Sequence, residues 1–408
     1  MKNIIVSIIL VLSLIGIILI DKSSRLLLLL ILILSLSLSF LVNVIMNKNF
    51  TKNKDKIIIF ILEAFLVAIA LALTIPTQNN IKDQTSKDKV ILDKSNIIAY
   101  KNVNLGEEKS DITITEGGSY TLSGTFSNSV IIDTEDEVEL ILDNVEINNS
   151  KTATIIGLNA KKITITLADQ SINKLSDGGN SEYDGCIFSN APLEFNGSGT
   201  LIVNGNQNEG EGIATETQTI TFNDGIYQIT SNDDGINAGG DGATITINGG
   251  KFYINANGDG IDSNQDLVIN GGEIFVIGSD KDGDSGIDTD DGYTINGGVV
   301  IALGTDMIEL LESTSKANTL AFSLNSIIPK DTLITLKSEN DQISFNAPKS
   351  FKTIIISMNF NDTNYSLYQN PNYNDLYGII ENVLDIGEIL EINQQNDLKI
   401  DKQINYYK

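Results

Sequence analysis

Between residues 185 and 304 the chain repeats itself, and the length of that repeat limits what it can fold into. The clearest copy is DGIDSNQDLVINGGEIFVIG at 259–278. DGINAGGDGATITINGGKFYINANG precedes it at 234–258, and SGIDTDDGYTINGGVVIALG follows at 285–304. Two degenerate copies start at Asp184 and Glu211. The leading glycines stand at 185, 212, 235, 260 and 286, so the spacing drifts between 23 and 27 residues. A period of this size marks a stacked array. Each copy reads as two short strands and contains no helix-length apolar stripe. Side chains alternate between the faces of a strand, so Ile245 and Ile247 point away from Thr244 and Thr246. Leu267 with Ile269, and then Tyr293 with Ile295, repeat the pattern one and two copies later. Phe252 with Ile254 and Ile274 with Val276 do the same after the glycine pair. A copy with one apolar face cannot bury it alone, whereas stacked copies share a continuous core. The expected fold is therefore all-β, a parallel β-helix.

Asparagine recurs at 196, 223, 248, 270 and 296, just before the glycine corner. Stacking would align these amides into a hydrogen-bonded ladder; the plainer reading is that Asn suits a turn. Cys186, the only cysteine, falls in the apolar register and reads as a small core residue, so no internal disulfide exists.

Composition removes several function classes. Acids number 53 against 27 bases, a formal charge of −26. A nucleic-acid partner is excluded, because the phosphate backbone demands Lys and Arg. There is no His or Trp, and the only Arg is Arg25, which excludes His-based catalysis and His-ligated zinc.

Three apolar runs open the chain, at 4–20, 26–46 and 57–75. A bilayer-crossing helix needs roughly 20 apolar residues, so residues 1–76 read as a membrane anchor of three transmembrane helices. A cleavable signal peptide competes for the first run, but no small-residue cleavage site follows it. Lys2 and the lysines at 48, 52, 54 and 56 place the N-terminus and the second link in the cytoplasm. Everything after the third run is then extracellular. Glu63 is an intramembrane charge facing a neighbouring helix or partner, or a passenger near the helix start. Residues 77–103 read as a polar linker, 104–306 as the β-helix with irregular first rungs, and 307–370 as a C-terminal β cap. Residues 307–312 read as a helical turn; 371–408 is a tail whose pattern after Tyr377 is helical or irregular and assigns no element.

Several distinct segments occur in one order: 112–147, AKKITITLADQSINKLSDG at 160–178, the DGI…INGG rungs, and FNAPKSFKTIIIS at 345–357. Over roughly residues 111–368 the chain resembles the bacterial carbohydrate-binding, calcium-containing right-handed parallel β-helix proteins of pectate-lyase-like fold. The resemblance implies binding of a plant-wall-type polysaccharide, cellulosic or polygalacturonate-like, at the cell surface, with Ca²⁺ held by Asp-rich loops. The three-span N-terminus is not part of that family pattern.

The acid-rich loops cluster where rungs begin. They hold Asp233 and Asp234, then Asp259 and Asp262, then Asp280, Asp282, Asp284, Asp288, Asp290 and Asp291. Asp280, Asp282 and Asp284 alternate like the opening of an EF-hand loop. Gly286 comes one place late, however, and Asp291 stands where Glu is required, so this is no EF-hand. Crowded carboxylates repel unless neutralised; Ca²⁺ is the expected ligand, and a solvated acidic loop is the alternative. Stacking would bring Asp234, Asp259, Asp262 and Asp288 towards the 280–291 loop. For sugar, Tyr253 and Phe275 hold equivalent outward positions on neighbouring rungs, about 4.8 Å apart, and would form an exposed aromatic ridge unless a loop covers them.

A lyase needs a base of suitable pKa beside its metal. The well-formed rungs offer only Lys251 and Lys281 for that role. Paired carboxylates for a hydrolase remain open. The sequence therefore points to a non-catalytic, Ca²⁺-stabilised carbohydrate-binding domain on a membrane anchor. A polysaccharide lyase or hydrolase, or a surface adhesin, are the alternatives.

Overall fold

The computed structural model describes residues 100–408, apart from 180, 181, 282, 306, 310, 372, 374, 375, 392–396 and 408. The three apolar runs lie outside the described residues. Among the described residues, no helix is long and apolar enough to cross a membrane.

The chain winds as a β-solenoid in which each regular turn supplies three strands, one more than the repeat suggested. The extra one is the short Gly-Ile strand at the head of each copy: Ile236–Ala238, Ile261–Ser263 and Ile287–Thr289 in the regular turns. These first strands form an eight-stranded parallel sheet that starts at Ile112–Ile114. Second strands (Ile245–Ile247, Leu267–Ile269, Tyr293–Ile295) and third strands (Lys251–Ala256, Glu273–Ile277, Val299–Gly304) belong to one eighteen-stranded sheet. They merge because the irregular early turns run through the corner as single long strands, Gly118–Phe126 and Glu137–Asn148.

Register follows the apolar alternation. Ile245 pairs with Leu267, and Leu267 with Tyr293; Phe252 pairs with Ile274, and Ile274 with Val300. Every one of these points into the coil and is at most 4% exposed. Burying an aliphatic side chain of this kind contributes roughly 1.5–3 kcal/mol, and a one-residue slip would turn the whole set outward. Aromatic residues fill the middle of the coil. Phe195 stacks on Phe222 and Tyr227 on Phe252, each at 4.7 Å. Cys186 is fully buried, with Thr154 against it, and burial pushes its thiol pKa up.

Two features hold the corners. The asparagine ladder forms: Nδ2 of Asn223 donates to Asn196, Asn248 to Asn223, Asn270 to Asn248 and Asn296 to Asn270, at 2.8–2.9 Å. Asn196 in turn donates to Glu194 at 3.0 Å, which anchors the first rung of the ladder. At the head of each copy the glycine is needed for space. A β-carbon on Gly260 would lie 2.0 Å from Val276 Cγ2 and 2.5 Å from the Gly286 carbonyl oxygen.

The two ends differ from the sequence expectation. Tyr100–Asn104 pairs parallel with Gly118–Phe126, so the solenoid begins inside the segment read as linker. At the other end Val299–Gly304 pairs antiparallel with Phe351–Met358, which pairs antiparallel with Asn318–Ile328. This reversal ends the parallel stack and covers its open edge. Among the described residues of 307–312 there is no helical turn; Leu311 instead bridges to Tyr293 across the last rung. Among its described residues the tail forms short strands. Ile404–Tyr407 lies parallel beside Asn318–Ile328, and Gly378–Ile380 and Glu388–Ile389 edge a second cap sheet. That sheet is built on Leu333–Lys337, Gln342–Asn346 and Asn364–Asn370.

Candidate functional site

An acidic edge runs along the corner where each third strand turns into the next first strand. Asp234 Oδ1 accepts the Asp259 backbone N–H at 2.7 Å, and Asp259 Oδ1 accepts that of Ser285 at 2.5 Å. Each carboxylate thus fastens the following rung. On the outward side of the first strands, Asn237, Asp262 and Asp288 stand in register. Asn237 Nδ2 donates to Glu211, a buried carboxylate one turn back, and to Asp234 at 3.3 Å.

The electrostatics are those of a crowded, half-buried anionic strip. Burial, and then repulsion from Asp233, Asp262 and Asp259, pushes Asp234 up to about 8. Asp259 rises to about 7 through burial and its neighbours Asp288, Asp284 and Asp262. Asp262 rises to about 6 through burial, Asp288 and Asp290. Glu211 is raised well above the usual carboxylate range by burial and by Asp184 and Asp234. Asp233 and Asp288 are raised too, mainly by burial, and Asp284 adds to both.

The structure therefore gathers Asp233, Asp234, Asp259, Asp262, Asp284, Asp288 and Asp290 into one electrostatic neighbourhood. Asp280 acts on Lys349, as Asp284 also does, while Asp291 is exposed and Asp282 lies outside the described residues. Among the described residues, no three His, Cys, Asp or Glu side chains converge as a ready metal cage. One atom nonetheless fits a cation. Asn237 Oδ1 is buried and has no hydrogen-bond partner among the described residues, while the Nδ2 of the same amide faces Glu211 and Asp234. Carboxylates and a partnerless amide oxygen are the hard-oxygen donor types that suit Ca²⁺.

The expected aromatic ridge is corrected in part. Tyr253 and Phe275 do pair across neighbouring rungs, with rings stacked at 5.6 Å and 8°. Phe275 is only 2% exposed, however, because the cap lies over it and brings Phe345 to 6.4 Å. It belongs to the apolar seam between cap and solenoid and offers no surface to a ligand. Tyr253 stands at the border of that seam and keeps part of its surface open.

Three functional candidates were missed from sequence. Glu211 heads a degenerate copy and does not look like part of an Asp run. Asn237 could have been found, since it follows Gly-Ile at the same place as Asp262 and Asp288. Lys349 comes from the cap, and its Nζ donates to the carbonyl oxygens of Ala256 and Gly278 on two successive rungs. Burial lowers its pKa to about 8.

A chain from Acetivibrio thermocellus described as a carbohydrate-binding domain-containing protein is 34% identical over 139 residues, which is 31% of this chain. The matched region spans 49% of that relative's length. A solved polysaccharide lyase-like protein from C. thermocellum, in a gadolinium derivative, aligns at a TM-score of 0.41 and 26% identity, over 50% of this chain and 94% of the other. The family model of carbohydrate-binding domain-containing proteins matches residues 108–359, more than half of the 408-residue chain. The chain belongs to the carbohydrate-binding domain-containing protein family.

Proposed function

We propose that this is a membrane-anchored extracellular protein whose right-handed solenoid, stabilised by Ca²⁺, binds a plant-wall-type polysaccharide without cleaving it. Family membership supports the carbohydrate partner. The three apolar runs before residue 76 and the lysines between the second and third support the anchor and its orientation. The observation that carries the cation is the acidic edge: carboxylates raised to about 6, 7 and 8 on successive rungs, with a partnerless amide oxygen on Asn237 in the same register. Bound there, Ca²⁺ would neutralise the strip and tie successive rungs together. The residues that would hold it are Asp234, Asn237, Asp262 and Asp288, with Glu211 at the buried end.

The lysines favour binding over catalysis. Lys251 is paired with Glu273 at 3.2 Å, and Lys349 spends its N–H groups on two backbone carbonyls. A base must carry a free lone pair where the substrate proton sits, and an ammonium clamped on carbonyls does not. A second reading, a polysaccharide lyase, is favoured by one observation: Lys349 is buried, lowered to about 8, and influenced by Asp280 and Asp284. Incubating the protein with cellulose and with polygalacturonate in calcium separates the two. Retention without new reducing ends or unsaturated products is expected. Product formation lost in Lys349→Ala would establish the lyase instead, and no retention on any glycan would move an adhesin role to the front.

A further inference from the structure

The cap does not cover the whole outer face of the third strands. It buries Phe275, Ile277, Ile301 and Leu303 on the last two rungs and stops at Tyr253. The three preceding rungs, Ile172–Ser176, Thr200–Gly205 and Ile226–Ser231, keep their outward side chains accessible. Ile172 is 54% exposed and Ile226 39%, both large apolar side chains in contact with water. The result is a step with the open rungs as its floor and the cap edge as its wall, and with Tyr253 at the inner corner. Tyr377 stands on the wall, 45% exposed, and its hydroxyl donates to Asp331 at 2.6 Å, which fixes the ring. Gly378 beside it lies against Tyr253, where a β-carbon would come within 3.3 Å of the ring.

We propose that this step, with the floor of Ile202, Ile226 and Gln228 and the two tyrosines Tyr253 and Tyr377, is the platform for an uncharged polysaccharide chain lying along the solenoid axis. The proposal rests on the carbohydrate-binding reading and names both the surface and the charge class of the ligand. Concave junctions lined by apolar and aromatic groups with a few polar ones are the usual form of a ligand site. A sugar ring presents apolar C–H faces and a rim of hydroxyls. Tyr253, held parallel on Phe275, and the isoleucines match the faces; Gln228 and Thr230, both exposed, match the rim with donors and acceptors. Gln228 is the direct register partner of Tyr253, and Ile202 of Gln228, so these groups recur at the strand spacing of about 4.8 Å. That arrangement fits a linear polymer better than a single sugar.

Charge selects the class. The chain carries −26 overall, which disfavours an approaching polyanion. On the step itself charges are balanced: Lys174 has Glu146 as its register partner, and Lys251 is paired with Glu273. Each of these lysines thus has a carboxylate beside it in register that competes with a uronate for it, while a neutral chain meets no repulsion. The outer face of the second strands is the natural control. Thr221, Thr246, Val268 and Thr294 line it in register, a column without an aromatic ring.

The test uses the full-length chain in detergent micelles, with amorphous cellulose as the neutral probe and polygalacturonate as the anionic one. Tyr377→Ala and Gln228→Lys are expected to weaken retention on cellulose at least tenfold, and Thr246→Lys to leave it unchanged, with melting temperatures alike. Undiminished binding by both step variants, or an equal loss in Thr246→Lys, would overturn the platform while leaving the carbohydrate reading standing. Preference of the unaltered protein for polygalacturonate would overturn the neutral-ligand assignment. Failure of the unaltered, folded protein to bind any glycan would overturn this proposal together with the reading beneath it.

Discussion

Asp234→Asn exposes the logic of the acidic edge, because its effect should change sign with calcium. The Asp234 carboxyl goes from the ordinary 3.8 to about 8 on folding. Between those values the native state keeps a proton that the unfolded chain has released, so stability falls as pH rises from about 4 to about 8. At about 1.4 kcal/mol per pKa unit the whole shift corresponds to roughly 5–6 kcal/mol. Part of it is repulsion that Asp233, Asp259 and Asp262 share and relieve when any one of them is neutralised, so about 2–3 kcal/mol is assigned to Asp234 itself. A domain of roughly 300 residues unfolds with about 0.6 kcal/mol per degree of entropy near its midpoint, which converts this to about 3–5 °C. Asparagine keeps the acceptor for the Asp259 N–H and removes the charge. In chelator the variant should therefore melt about 3–5 °C higher than the parent at pH 8 and no higher at pH 4. In calcium at one hundred times its Kd the parent should gain about 2.7 kcal/mol, which the variant largely forfeits. Calorimetric or fluorescence melts at the two pH values, with and without calcium, give all the comparisons. A variant that is destabilised equally at pH 4 and pH 8 in chelator would refute the reasoning, since Asp234 would then be acting as a hydrogen-bond acceptor and not as a strained charge.

Other consequences follow from the packing. Asn248→Ala removes two rungs of the asparagine ladder and should cost about 1–2 kcal/mol, read as a lower urea midpoint at unchanged slope. Phe275→Ala empties the seam under the cap and should cost about 3–5 kcal/mol; limited proteolysis should then cut first within residues 307–408, whereas cuts spread evenly along the chain would argue against a discrete seam. Cys186, fully buried with its thiol pushed up by burial, should resist thiol reagents at pH 8 until the protein unfolds, and rapid labelling of the native protein would contradict its place in the core.

What could be read in the sequence was local and periodic. The inward sets around Ile245, Leu267 and Ile274, and the ladder Asn196 to Asn296, follow from one copy laid on the next. What escaped was set by contacts between distant segments. Nothing in the spacing of Tyr253 and Phe275 says that Phe345, some seventy residues on, will cover one ring and leave the other at an open border. The Gly-Ile strands were missed because three residues are too few to show alternation; their regularity lies in the glycine before them. Asp280 and Asp291 looked as good as Asp262 in the sequence, yet only Asp262 stands on a strand that stacking repeats, between Asn237 and Asp288. The tail strand Ile404–Tyr407 depends on Asn318–Ile328 for its pairing and has no turn signal of its own.

The central claim joins a polysaccharide partner to a cation on the acidic edge, and one experiment addresses both. The full-length protein, solubilised and shown to be folded, is passed over immobilised polysaccharide at pH 7.5 in calcium and then washed with chelator. The account predicts retention in calcium and release by chelator, with the neutral polymer preferred. Passage of the folded protein without retention on any polysaccharide in calcium would contradict it.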